Sequence, residues 1–336
     1  MFNKIYDEIL KIIKNNYLFI IFFFIGFAIA NIKLPIYINA PGGISDVSEK
    51  IEIKDYTIDK NTFHMAYVYE FQATIPTLIY SYFNNNWDLI KKEEVIYENE
   101  IKEETEFRNK MLLNEANQTA IIVSFNKANK EVNVKNKRFF VTYIDKMAKT
   151  DLKIKDEILK INNQEIRELE DIKEISKNFV AGEEITIQVK RDDEILERKA
   201  TIIEIEEQLV IGILISVDQE IETNPEVNFN FKKSESGPSG GFMISLALYD
   251  ALTGGNLGNG KKIAGTGTID IYGNVGEIGG AKYKLKGAVK DKVDIFFVPA
   301  GENYNEVMEV KKEKNYDITV VPIKTLDDAI EYLKNL

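Results

Sequence analysis

Cysteine is absent from the 336 residues, which excludes disulfide bridges, thiolate zinc sites and a cysteine nucleophile together. Histidine is nearly absent. The single copy, His64, lies in Phe63-His64-Met65-Ala66-Tyr67-Val68-Tyr69-Glu70-Phe71, where aromatics and Met alternate along one face of an expected strand and His64 takes the other. A structural or solvated role is the ordinary one there, so a serine hydrolase built from this chain needs another base. Proline numbers only 7, too few for a disordered chain, while a hydrophobic content of 44% is that of a globular protein. Positive charge is in deficit, with 43 basic against 54 acidic residues and a net charge of -11. That balance suits nucleic acid poorly, and nucleic-acid binding is set aside. The length allows two or three domains with their own cores.

What is present begins with an apolar run. Tyr17 to Ala30, YLFIIFFFIGFAIA, carries no charge and follows Lys4, Lys11 and Lys14, with Asp7 and Glu8 diluting that basic flank. Fourteen residues fall short of a span of about 20, and the expectation is that Asn31 to Ile38 extends it, with the lysines on the cytoplasmic side. A signal peptide cut near Ala30 is the alternative. Leu34 to Gly43, LPIYINAPGG, should leave the membrane extended and end in a Pro-Gly-Gly turn. Strands are expected at Ile51 to Ile53 and Thr62 to Phe71, and helices around Pro76 to Phe83 and Glu100 to Lys127. The acidic cluster from Glu93 to Glu106 reads as a solvated helix face and linker.

From about Val132 to Ile205 short strands surround one helix, Leu169 to Phe179, with turns at Asn162-Asn163 and Asp192-Asp193. The runs Asp156-Glu157-Ile158-Leu159-Lys160-Ile161-Asn162-Asn163-Gln164-Glu165-Ile166 and Ala181 to Arg191 resemble the central and closing strands of PDZ domains. That resemblance implies peptide binding by strand addition. Lys155 replaces the usual Gly before the Asp, and no clear Gly-rich carboxylate-binding loop precedes it.

After a buried-strand run at Leu209 to Ser216 and a shorter one at Val227 to Phe231, the chain reaches Ser234 to Asp250, SESGPSGGFMISLALYD. The pattern predicts a helix buried on nearly all sides, with Pro238 in its first turn and Ser239 at its positive end. Taken alone, such a serine is more often a cap than a nucleophile. Strands at Ile263 to Ile271, Ile295 to Val298 and Ile318 to Val321 then alternate with helices at Ala281 to Lys290, Asn305 to Glu313 and Leu326 to Leu336, an α/β pattern.

With histidine unavailable, Ser239 needs a lysine or a carboxylate as base. A lysine must fall by about 3 units to act near neutral pH, roughly 4 kcal/mol of disfavoured charge, which requires a buried apolar site. On a helix starting near Gly280, Lys282, Lys286 and Lys290 recur every four residues as a solvated stripe. Lys284 lies off it. Its helical neighbours are Gly280, Ala281, Gly287 and Ala288, all small, as where another backbone packs close. Helical geometry therefore favours Lys284 over Lys282.

Gly237-Pro238-Ser239-Gly240-Gly241 resembles the nucleophile signature of Lon-type proteases, and Gly276 to Lys284, centred on Ile278-Gly279-Gly280, resembles the segment carrying that family's catalytic lysine. The resemblance implies Ser239 and Lys284 as the dyad and, through Ile263-Ala264-Gly265-Thr266-Gly267-Thr268, Thr266 as a hydrogen-bonding partner near the lysine. Gly237, Pro238 and Gly240 are the oxyanion-loop candidates, the amides around Pro238 to Gly241 being those in reach. Departures are Gly240 where Ala is usual, Ser236 where Gly or an acid is common and Glu277 where Pro is frequent. A loop with P-loop spacing, Gly255 to Gly260 and Lys261, is rejected because Lys262 stands where Ser or Thr must hold magnesium.

As a whole the chain resembles membrane-anchored, ATP-independent Lon-like proteases. The expected architecture is an α+β / α/β multidomain protein: a cytoplasmic tip and membrane anchor at 1–36, an extracytoplasmic α+β segment at 37–131 packing on the protease domain, a PDZ-like domain at 132–206 and a Lon-type α/β domain at 207–336. The expected activity is extracytoplasmic endopeptidase cleavage of secreted or membrane-associated proteins or peptides, with no metal, cofactor or nucleotide, and a homo-oligomer is compatible with it. The alternatives are an inactive membrane-tethered PDZ scaffold and a non-proteolytic Ser-Lys amidase.

Overall fold

The computed structural model of the chain describes residues 2–97 and 100–336. Glu98 and Asn99, within the acidic run, lie outside them. In chain order the elements are α1 (Phe2–Ala30), β1 (Lys33–Asp46), β2 (Ile51–Ile53), β3 (Phe63–Thr74), α2 (Ile75–Phe83), β4 (Asp88–Lys91), α3 (Lys92–Val95) and α4 (Lys102–Lys127). Next come β5 (Glu131–Ile144), β6 (Lys149–Thr150), β7 (Glu157–Ile161), β8 (Gln164–Glu165), α5 (Leu169–Ser176), β9 (Glu184–Arg191), β10 (Glu194–Thr201), β11 (Ile203–Ile205), β12 (Gln208–Val210), β13 (Ile213–Asn224) and β14 (Val227–Phe229). The last stretch holds α6 (Gly241–Leu252), β15 (Ile263–Gly265), β16 (Thr268–Ile269), β17 (Val275–Gly276), α7 (Ala281–Lys290), β18 (Ile295–Pro299), α8 (Glu302–Lys314), β19 (Thr319–Ile323) and α9 (Leu326–Lys334).

Two compact units divide the chain. One comprises the residues up to Pro41 together with Tyr69–Val95, the other Gly42–Val68 and Ile96–Leu336. In the first unit α1 carries a stretch, Leu10–Ala30, long and apolar enough to cross a membrane, a property that a signal sequence shares. The span gains its length from residues before Tyr17, across a kink at Asn16, and not from Asn31 to Ile38 as expected. The helix stops at Ala30, a few residues ahead of Pro35, before which helical backbone is disfavoured, and β1 begins at Lys33 and pairs antiparallel with β4, Ile36 opposite Lys91. Ile38, Ala40 and Ala73 are buried there, with Phe71 and Trp87 packed against them.

In the second unit a parallel sheet runs in the order β3, β15, β18, β19. Its central strands are apolar at every position, as a sheet covered on both faces requires. Ile263, Ile295 and Phe297 join one core with α6 and α9; Ala264, Phe296 and Val298 join another with α7 and α8. The expected Pro-Gly-Gly turn is absent, since β1 runs on through Pro41 to Asp46. The two glycines serve close approach: a Cβ on Gly42 would lie 2.4 Å from the Tyr67 carbonyl oxygen.

An antiparallel sheet in the order β13, β5, β7, β9, β10, β6, with α5, encloses its own core around Phe139, Ile158, Ile161 and Ile187. Leu209 to Ser216 is not one buried strand. It breaks at Gly212, whose φ is +82°: β12 pairs back on β11, and β13 restarts at Ile213 against β5. Lys155 keeps the left-handed conformation of the glycine it replaces, with φ at +78°. Asp156 beside it is fully buried and takes two hydrogen bonds from Arg191 at 2.6 and 2.7 Å. The acidic run is not wholly solvated either. Glu100 is buried and holds Arg108 at 2.8 and 2.9 Å.

Candidate active site

Ser239, Thr266 and Lys284 come from three elements that meet at the carboxyl end of β15, the end at which open α/β sheets commonly place ligands. Ser239 precedes α6, which lies on one face of the sheet; Thr266 directly follows β15; Lys284 is in the first turn of α7 on the other face. The helix after the serine begins later than its proline suggested. Gly240 is the N-cap and α6 starts at Gly241, so Pro238 sits in the preceding turn, where its carbonyl accepts the Gly241 amide at 3.1 Å.

Thr266 ties the other two together. Its hydroxyl, on a fully buried residue, accepts from Lys284 Nζ at 2.9 Å and donates to the Ser239 carbonyl oxygen at 3.1 Å. The same carbonyl accepts the Gly267 amide at 2.9 Å, and the Gly267 carbonyl in turn accepts the Phe242 amide at 3.2 Å. The backbone of the serine is thus fixed on both sides by the loop that holds the lysine. Because the threonine has one hydroxyl proton and gives it to Ser239, the lysine must be the donor in the other bond. A neutral amine can do that and keep its lone pair free.

Lys284 is 2% exposed. Burial alone lowers its ammonium from the ordinary 10.5 to about 7, and among the described residues no carboxylate pairs with it. Its neighbours are small for the reason expected. A Cβ on Gly287 would lie 3.0 Å from the Gly43 amide nitrogen and 3.1 Å from its Cα, so the end of β1 runs directly over this helix. The Asp291 carboxylate at the helix end accepts the Ile44 amide at 3.0 Å and pins that crossing. At the other end Asn303 exchanges two hydrogen bonds with Ile278, at 2.8 and 2.9 Å, fixing the Ile278-Gly279-Gly280 approach to α7. Glu277, which stands where Pro is frequent, accepts the Glu302 amide at the start of α8.

The oxyanion-loop candidates separate. The Gly237 amide is already spent on the Asn109 carbonyl of α4, at 3.0 Å, and Pro238 has no N–H to give. The amides of Ser239 and Gly240 have no acceptor among the described residues. A Cβ on Gly240 would lie 2.6 Å from Met65 Sδ, so a methyl group there would require the Met65 side chain to shift.

One support of this loop has no signal in the sequence. Lys50, buried after β1, donates to Glu235 at 2.5 Å, and the other Glu235 oxygen accepts the Lys232 amide at 2.6 Å. Burial pushes the Glu235 carboxyl up, but Lys50 and the amide outweigh it and hold it below the usual value. These partners lie 185 positions apart, and no spacing rule connects them. His64 is buried, with Nδ1 3.2 Å from the Ile263 carbonyl, and takes the structural of its two expected roles.

Two family models match the chain. Residues 232–335 match the Lon protease (S16) C-terminal proteolytic domain, and residues 119–202 match the PDZ domain. The first span contains Ser239, Thr266 and Lys284. Curated relatives include the Lon protease of Neorickettsia sennetsu, 30% identical over 99 residues, which are 30% of this chain and 12% of that protein. Those of Geobacter metallireducens and Clostridium beijerinckii are 33% and 32% identical over 96 residues each, 29% of this chain and 11% and 12% of theirs. The chain therefore spans about an eighth of the length of these relatives. It carries a Lon-type proteolytic domain and a PDZ domain behind an apolar N-terminal helix.

Proposed function

We propose that this chain is a membrane-anchored serine endopeptidase that works through a Ser239–Lys284 dyad and needs no ATP. The observation that carries the reading is a lysine brought to about 7 by burial and hydrogen-bonded to the threonine that also holds the backbone of Ser239. Neutral Lys284 takes the proton of Ser239 Oγ as that oxygen attacks the scissile carbonyl carbon. The resulting ammonium gives the proton to the leaving amine, and the C–N bond breaks to leave an acyl-serine. Water then repeats the sequence, its proton passing to Lys284 and back to Ser239 as the acyl group departs as an acid. Thr266 keeps the lysine oriented, and the amides of Ser239 and Gly240 receive the charge that develops on the carbonyl oxygen.

The other parts of the proposal concern the setting. The division into an anchor (1–36), an α+β segment (37–131), a PDZ-like domain (132–206) and a proteolytic domain (207–336) is carried forward with it. The PDZ-like sheet binds extended peptide by strand addition and feeds protein or peptide substrates. Lys4 ahead of the span and Lys11 and Lys14 in its first turns favour a cytoplasmic N-terminus, which puts the proteolytic domain outside.

Incubating the full chain in detergent with an unstructured protein, without nucleotide, should yield fragments. Ser239→Ala and Lys284→Ala should each abolish them. Fragments that persist with Lys284→Ala rule out the dyad, and peptide binding without turnover in the unaltered chain points to the scaffold alternative.

A further inference from the structure

The first unit exposes a second apolar surface beside its span. From Phe71 to Trp87 no residue is charged. Along α2, Ile79 and Tyr80 face outward, and the helix ends in Tyr82 and Phe83, 87% and 81% exposed. Two adjacent bare rings on an uncharged stretch mark a surface that something covers.

Its neighbours say what does. α2 packs against α1 within the same compact unit. The span of α1, 21 residues, is about 31 Å long and matches a hydrocarbon core of ~30 Å. A short helix held against a spanning helix lies at membrane level. The side chains of α2 and the turn after it are those of the headgroup region: Tyr80 and Tyr82 with one apolar and one polar end, then Asn84, Asn85, Asn86 and Trp87, with Asp88 next and Lys91 and Lys92 at the end of β4 and just past it. β4 also returns alongside the part of β1 that follows the span, Ile36 opposite Lys91.

We propose that α2 and the turn after it form a second, interfacial membrane contact in which Tyr82 and Phe83 insert among the lipids next to α1. The occupant is the bilayer itself. The inference rests on α1 being a retained anchor, and the test separates the two.

Trp87 is the only tryptophan in the chain and stands edge-on to Tyr80, ring centroids 4.7 Å apart, so its emission reports this place alone. The full chain is put into phosphatidylcholine vesicles whose acyl chains are either plain or brominated close to the headgroup. Flotation with the vesicles comes first; a chain that does not float refutes the anchor. In a chain that floats, Trp87 emission should drop in the brominated lipid and resist aqueous iodide in both. Tyr82→Glu with Phe83→Glu should restore emission and iodide access while flotation persists. Equal emission in the two lipids with full iodide access overturns the interfacial contact and leaves the anchor standing. Iodide protection that grows with protein density in the bilayer assigns the surface to a second copy. Protection that needs an added unstructured peptide assigns it to substrate, and either result overturns the proposal.

Discussion

Replacing Lys284 with methionine keeps the length of the side chain and removes its charge, and the consequence for stability depends on pH in a way the site dictates. Folding strips the ammonium of water and returns it one hydrogen bond, to Thr266 at 2.9 Å. The lowering from 10.5 to about 7 corresponds to about 5 kcal/mol at 1.36 kcal/mol per unit. Below about pH 7 the lysine is charged in both folded and unfolded chains, and the whole cost is present. Between about 7 and 10.5 folding releases a proton, so stability rises with pH by about 1.4 kcal/mol per unit. Above that the cost is gone. Lys284→Met should therefore be more stable than the unaltered chain by about 4 kcal/mol at pH 7, less about 1 kcal/mol for the partner that Thr266 loses. The difference should shrink by about 3 kcal/mol by pH 10. Urea midpoints read by hydrogen exchange of α6 and α7 peptides measure it, because the lone Trp87 lies in the other unit and does not report on this one. A difference that stays constant from pH 7 to 10 would refute the reasoning, since it would mean that Lys284 titrates as in water. The same titration should govern cleavage. kcat/KM should be half-maximal near pH 7 and about a tenth of its plateau one unit lower.

Three other changes test the supports of the fold and site. Lys155→Gly relieves a left-handed lysine and should stabilise the PDZ-like sheet by about 1 kcal/mol, read as a higher urea midpoint. Glu235→Gln leaves buried Lys50 without its counter-charge and should cost about 3 kcal/mol; because it loosens the approach to Ser239, kcat should fall more than KM changes. Gly287→Ala drives a methyl group into the Gly43 backbone and should cost about 1–3 kcal/mol in urea unfolding, with cleavage lost in proportion as α7 shifts.

Much of this was legible in the sequence because it is local. The helices 241–252 and 281–290, the apolar strand Ile295–Pro299 and the turns at Asn162-Asn163 and Asp192-Asp193 follow from periodicity and turn chemistry. Which lysine is buried also followed, since the small residues three and four positions from Lys284 announce a close backbone. Other features misled for a physical reason. Pro41-Gly42-Gly43 has the composition of a turn, yet the glycines are there so that β1 can pass over Tyr67 and α7, a demand made by residues more than 20 and 200 positions away. The run Leu209 to Ser216 is uniformly apolar, and only the left-handed Gly212 and two separate strand partners break it.

The sequence by itself determined the chemistry available: no cysteine, one histidine, and a serine and a lysine each set in a motif of small residues. Tertiary structure decided how they relate. A hydroxyl at the end of β15 joins α6 and α7 from opposite faces of one sheet, and the backbone whose approach the small residues announce is that of Gly42 and Gly43, a partner that no local spacing names. Burial and the loss of solvation that it brings belong to the folded whole, which is why only the fold could lower the Lys284 ammonium from the ordinary 10.5 to about 7.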